Sequence, residues 1–140
     1  MRRSKIIYTP FYRQFVAALV ATLCLVPGSL TSLNGQEWDD GGPDDDWGTA
    51  NNWDGNSVPA TNADVFFGDL PSGGPQTVDV ATNQTPGSLE FDSSFDYTLD
   101  DAGGLLELDA ASGNAAINVN ESSGNGSHEI AVDLQLLDPL

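Results

Sequence analysis

The sequence predicts an all-β protein, wound as a short parallel β-solenoid behind an N-terminal signal-peptide helix, and three observations carry that reading. The charge is divided: Arg2, Arg3, Lys5 and Arg13 are the only Lys and Arg residues among 140, and all 21 Asp and Glu residues follow them, from Glu37 to Asp138. Beyond Asn62 apolar and polar residues alternate over short runs, the period-two signature of half-buried strands. The runs are separated by Gly, Asn, Asp, Ser and Pro, with no helical periodicity between them. A β-sandwich is the alternative that the same runs allow.

The leader comes first. Met1 to Gln14 is basic, Phe15 to Val26 is an apolar run of 12 residues, and Pro27 and Gly28 break it ahead of the polar segment Thr31 to Gln36. An apolar run of that length falls short of the roughly 20 residues that span a bilayer, so a signal peptide over residues 1–35 is favoured over an uncleaved anchor. Cleavage is expected after Gly35, with Gly28 as the competing site. Arg2 and Arg3 read as ordinary leader charge rather than a twin-arginine signal. Cys24 follows the bulky Leu23, which argues for an apolar residue of the signal rather than a lipid-bearing cysteine. Once the leader is gone no cysteine remains, and with it no disulfide or thiolate chemistry.

Removing 35 of the 140 residues leaves 105, one small domain, and removing four cations takes the formal charge from −17 to −21. Recurring apolar residues such as Val78, Val80, Leu89 and Phe91 argue against disorder despite that charge. The charge itself excludes partners: without Lys or Arg the chain cannot displace counterions from phosphates, so neither nucleic acid nor, after signal cleavage, a membrane surface is expected. Cations in solution, polysaccharide or other cell-surface proteins remain as partners.

Residues 36–60 form an Asp/Gly/Trp-rich segment expected to cap the first coil, and residues 61–140 hold the short strands. The predicted runs are Ala63 to Gly68, Gln76 to Ala81, Ser88 to Asp92, Asp96 to Asp100, Leu105 to Ala110, Ala115 to Asn120 and His128 to Leu136. Gly and Asn recur at the corners (Gly87, Gly103, Gly104, Gly113, Asn114, Gly124, Asn125, Gly126), where left-handed bends are expected. No Asn-Gly or Asp-Gly turn joins adjacent runs at hairpin distance, which favours parallel coils over an up-and-down sheet. A solenoid also needs a cap or further coils over its last edge. The segment Leu136 to Leu140 carries no capping pattern, and the reading frame is expected to be short or truncated there.

The most specific signal lies in Trp38 to Gly68: Trp38, Gly41, Gly42, Trp47, the pair Asn52 and Trp53, Val58, Pro59, Asp64 and Phe67. In this order they resemble the start of the autotransporter-associated beta-strand repeat proteins, and the short strands downstream continue that pattern to the C-terminus. The resemblance implies the N-terminal portion of a right-handed parallel β-helix in a secreted or cell-surface passenger region. It also implies a structural or adhesive role and no common catalytic site.

Three groups of residues offer chemistry. Trp38, Trp47 and Trp53 would make either an aromatic platform for sugar rings, as in a small carbohydrate-binding β-sandwich, or a hydrophobic lid over the first coil; a small β domain needs its aromatics inside. Asp39, Asp40, Asp44, Asp45 and Asp46 would supply oxygen ligands for Ca2+, although their spacing matches neither an EF-hand loop nor a calcium-binding nonapeptide, and a solvated turn competes. No cofactor is expected beyond weak stabilisation by Ca2+ or other cations, because carboxylates stacked on neighbouring coils repel. His128 lies beside Glu129 and near Ser127, but no nucleophile elbow surrounds a serine, and the alternation places His128 with Ile130 and Val132. An enzyme is not expected. A glycosidase-like pair such as Glu129 and Asp133 is uninformative where carboxylates abound.

Overall fold

The computed structural model of the protein describes residues 35–120 and 122–138. The predicted signal helix therefore lies outside the described residues. Among the described residues nine strands form: β1 (Gly35–Glu37), β2 (Asp64–Gly68), β3 (Gln76–Val80), β4 (Ser88–Asp92), β5 (Tyr97–Asp101), β6 (Leu106–Leu108), β7 (Ala116–Val119), β8 (His128–Ile130) and β9 (Leu134–Leu136). They pair out of chain order, as β1-β2-β4-β7, β3-β5-β8 and β6-β9, and every strand pair is parallel. The chain thus visits three faces in turn before returning to the first, which is a β-solenoid. Two 3-10 turns, Ala50–Asn52 and Asp54–Asn56, are the helical elements among the described residues.

Register sets the core. Because each strand lies on its equivalent in the coil below, inward residues form columns: Val65 under Leu89 under Ile117, Val78 under Leu99 under Ile130, and Leu106 under Leu134. One column is aromatic. Phe67 and Phe91 stack with centroids 4.9 Å apart and planes 15° apart, and the His128 ring continues the stack over Phe91 at 4.9 Å and 19°. For Phe67 and Phe91, register partners on β2 and β4, that spacing is the strand separation itself, about 4.8 Å, so their rings meet face to face without any shift in backbone; His128, whose register partner is Tyr97, reaches the stack from β8 in the neighbouring sheet. Tyr97 closes the column from the side and donates its hydroxyl to the Gly68 carbonyl (2.9 Å).

Two expected features differ. The run His128 to Leu136 is two strands, broken by a corner at residues 131–133 where the N–H groups of Ala131 and Val132 both donate to the Leu99 carbonyl (2.9 and 3.2 Å). Three corner residues preserve the alternation, so Val132 still points inward and nothing in the pattern marks the bend. The other difference is β1, which has no apolar residue and forms by edge pairing on β2. Cleavage after Gly35 would remove its first residue, the register partner of Asp64, whereas cleavage after Gly28 would leave it whole.

The corner glycines serve two purposes. Gly113 (φ 81°) adopts the left-handed bend expected of it. Gly104 has no such φ; its N–H donates to the Val80 carbonyl (2.8 Å), and a Cβ there would sit 2.5 Å from the Thr82 carbonyl oxygen and 2.6 Å from that of Val80. Gly87 and Gly126 are of this second kind, and Asn114 and Asn125 are not left-handed either. Glycine is required there because the coil below passes directly beneath the corner. Gly104→Ala is expected to destabilise the fold by about 1–3 kcal/mol through overpacking against backbone, read as a lowered urea midpoint with an unchanged slope.

Candidate functional site: lid, corner carboxylates and outer groove

The three tryptophans close the first coil. Trp38, Trp47 and Trp53 are 0, 1 and 0 % exposed. Trp53 meets Trp38 edge-on (5.1 Å, 87°) and Trp47 at 4.9 Å and 62°, while Trp47 and Trp53 lie 6.0 and 6.2 Å from the Phe67 ring. A sugar platform needs an indole face open to solvent, so the ligand-binding role considered for these residues is not formed; their faces are spent on one another and on the aromatic column. Trp53 Nε1 donates to the Trp47 carbonyl (2.7 Å), while the Nε1 groups of Trp38 and Trp47 have no acceptor.

Asn52 organises this lid. Fully buried, it donates from Nδ2 to the carbonyls of Asp44 (2.8 Å) and Asp46 (3.0 Å), and its Oδ1 accepts the Gly42 N–H (2.8 Å). A Cβ on Gly42 would lie 2.1 Å from that Oδ1, so this glycine and this asparagine require each other. The lid backbone is also tied to the first full coil: Trp38 N–H donates to Phe66 (3.0 Å) and Trp47 N–H to Asp79 (2.9 Å). In the sequence Asn52 stands in an Asn-Trp pair beside a second amide, Asn51, and nothing local tells the buried one from the exposed one.

The aspartates considered for Ca2+ do not converge. Asp39 accepts the Gly41 N–H (3.0 Å), Asp44 that of Asp46 (3.3 Å) and Asp46 that of Gly48 (2.8 Å), each a local turn in which the carboxylate caps a backbone donor two residues on. Asp40 sits at φ 52°. Among the described residues no group of three or more His, Cys, Asp or Glu side chains is placed to hold a metal ion.

Carboxylates elsewhere join coil to coil. Asp69 Oδ1 accepts the Ser94 N–H (2.7 Å) and the hydroxyls of Ser93 and Ser94 (3.0 Å each) from the coil above. One coil higher, Asp92 accepts the Ser123 N–H (2.7 Å) and the Ser122 hydroxyl. Asp138 reaches down instead, accepting the N–H groups of Ala110 (2.9 Å) and Ala115 (2.8 Å) across the corner between β6 and β7. Donated backbone and hydroxyl hydrogens hold all three carboxyls below the usual 3.8.

Outward rows are mostly interleaved. Asp64 lies under Ser88, Glu90 under Asn118, Thr98 under Glu129 and Glu107 under Gln135. Among the described residues Asp79 alone is stacked on another carboxylate, Asp100, in the strand register, and it also bridges to Asp46 below. Burial, then the charges of Asp45 and Asp100, push its carboxyl above the usual value. The repulsion expected between coils is thus concentrated in one row.

Two features complete the surface. His128 is a partly buried strand residue whose Nδ1 has no partner, and burial lowers its pKa against the opposing pull of Asp96. Outside the coils, a groove of about 960 Å3 runs between the outer face of β1, β2 and β4 and the segment 54–63, lined among others by Glu37, Asp54, Val58, Asp64, Phe66 and Glu90. Phe66 faces this groove because Val65 and Phe67 on either side of it point inward. A period-two strand with two consecutive phenylalanines must put one outside, a signal already present in the sequence.

No protein-family model, no curated protein and no solved structure matches the chain.

Two outcomes follow from the carboxylates. A carboxyl whose pKa is lowered by folding stabilises the fold above 3.8 and loses that contribution as pH falls through its folded value. Asp69→Asn should therefore melt below the wild type at pH 7, and the gap in thermal midpoint should close by about pH 2. Asp79→Asn should have the opposite sign, raising stability by about 0.2–1 kcal/mol at low salt. Thermal melts across a NaCl series should show the wild type gaining on that variant as salt screens the row.

Proposed function

We propose that this chain is an exported, non-enzymatic segment of β-solenoid type with a structural or adhesive role at the cell surface, akin to the passenger regions of autotransporter-associated beta-strand repeat proteins. The observation that carries the reading is how the side chains are used. Aromatic residues build the lid and the internal column, and the corner carboxylates bind one coil to the next. His128, a candidate for chemistry in the sequence, lies flat on Phe91 with an unpartnered Nδ1.

Export is supported by the charge split: every Lys and Arg lies at or before Arg13, followed by a 12-residue run that is apolar but for Thr22 and by the helix-breaking pair Pro27 and Gly28. A cell-surface solenoid with no Lys or Arg in its coils would be soluble through its negative charge and indifferent to anionic polymers. The test is intact-mass analysis of the chain recovered from outside the cytoplasm of a Gram-negative host. The product is expected to begin just after Gly35 or, with β1 left whole, just after Gly28; retention in the cytoplasm with Met1 in place would overturn export.

A further inference from the structure

The outer groove sets an aromatic ring among carboxylates. Every charged residue that lines it is a carboxylate: Glu37, Asp54, Asp64 and Glu90. Two of these meet only neutral donors, Ser88 Oγ on Asp64 (2.6 Å) and Asn120 Nδ2 on Glu90 (2.7 Å). The chain has no Lys or Arg beyond Arg13, so no cationic side chain among the described residues can neutralise them. The floor is apolar. Phe66 occupies the centre of a row that reads Glu37, Phe66, Glu90 across β1, β2 and β4. Its ring reaches along the strand over Gly68, where a Cβ would lie 2.7 Å from Phe66 Cε1 and 3.1 Å from Glu37 Oε1. A side chain at Gly68 would displace the ring, so the glycine keeps an aromatic group lying on the sheet between two carboxylates one strand away on either side.

We propose that this groove docks an extended segment of a basic protein, with a Lys or Arg side chain lying over Phe66 and its charged head between Glu37 and Glu90. A cation over an aromatic ring flanked by carboxylates gains from the ring and from both charges, while its methylene stem covers apolar surface supplied by Phe66 and Val58. Three adjacent strands span about 10 Å, enough for one extended chain to lie along the row of Glu37, Phe66 and Glu90. Charge selects its sign: anionic polymers are repelled, and a neutral sugar stacked on Phe66 would leave the four carboxylates without a counterpart. This names a partner class for the adhesive reading above and rests on it; the two fail separately, since export is read from the mass of the exported chain and docking from the purified protein.

The experiment is fluorescence anisotropy with a labelled peptide of alternating Lys and Ala, titrated with the purified chain at low ionic strength. Saturable binding is expected, weakening as NaCl is raised. Glu37→Gln, Glu90→Gln and Phe66→Ala should each weaken it by about threefold or more, and Phe66→Leu, which keeps the apolar bulk without the ring, by less. Glu129→Gln changes an exposed carboxylate on β8, in another sheet, and should leave affinity within about twofold. Thermal melts confirm that the variants fold. Equal losses from Glu129→Gln and Glu37→Gln would reduce the effect to diffuse charge and overturn the proposal. Absence of saturation, no change in Phe66→Ala, or displacement of the peptide by a neutral glucan oligosaccharide would overturn it as well.

Discussion

Parallel stacking in register is the constraint from which the other features follow. A residue in such a coil is not free to choose its neighbours: the side chains above and below it, about 4.8 Å away, are those of its register partners. Inward positions therefore reward identity or likeness, and the register partners Phe67 and Phe91 stack ring on ring because planar groups pack well at that separation, with His128 laid on Phe91 from β8. Outward positions penalise likeness wherever the residue is charged. Ser, Thr, Asn and Gln separate most carboxylates from one another, and the row of Asp46, Asp79 and Asp100 shows what happens where they do not.

An acidic chain so arranged can turn its charge into structure. Asp69, Asp92 and Asp138 lie at corners, where the strand ladder ends and backbone N–H groups of a neighbouring coil lack partners. A carboxylate is the natural acceptor at such a place, since it takes two or three donors at once and each bond is charge-assisted. At the start of the solenoid the same need is met by an amide: Asn52 both donates and accepts, which a carboxylate cannot do, and it fixes the turn that folds the Trp47 and Trp53 indoles over the Phe67 ring, with Trp38 edge-on against Trp53. At the other end Ile117 and Val119 remain 40 and 58 % exposed, because among the described residues no coil lies over β7.

How much of this was legible in the sequence depended on whether a feature is local. Strand β4 is readable to the residue, because Ser88 to Asp92 alternates cleanly and is bounded by Gly87 and a Ser pair. The corner inside His128 to Leu136 is invisible, since a three-residue bend keeps the inward face continuous. The role of Gly104 is equally hidden: its need for no side chain comes from Val80 and Thr82, residues of the preceding turn of the coil. The tryptophan lid was readable as burial, from the scarcity of other large residues, but its dependence on Asn52 and Gly42 required knowing that the chain doubles back between them. The groove around Phe66 was missed because register alone brings Glu37, Phe66 and Glu90 together, and register is set by pairing across 24 and 29 residues (Asp64 to Ser88, Gly35 to Asp64).

Successive coils differ in contour length. From β2 to β4 the chain advances 24 residues, Asp64 to Ser88, and from β4 to β7 it advances 28, Ser88 to Ala116, yet each step raises the fold by one strand spacing. Height along the axis is thus counted in turns and is blind to how many residues a turn contains; the same 28 residues in an α-helix would reach about 42 Å. Such a molecule is a poor spacer for its mass and a good billboard. Extra residues widen the perimeter at a corner without moving the floor above, so the display surface of each storey can diversify while the staircase inside stays the same.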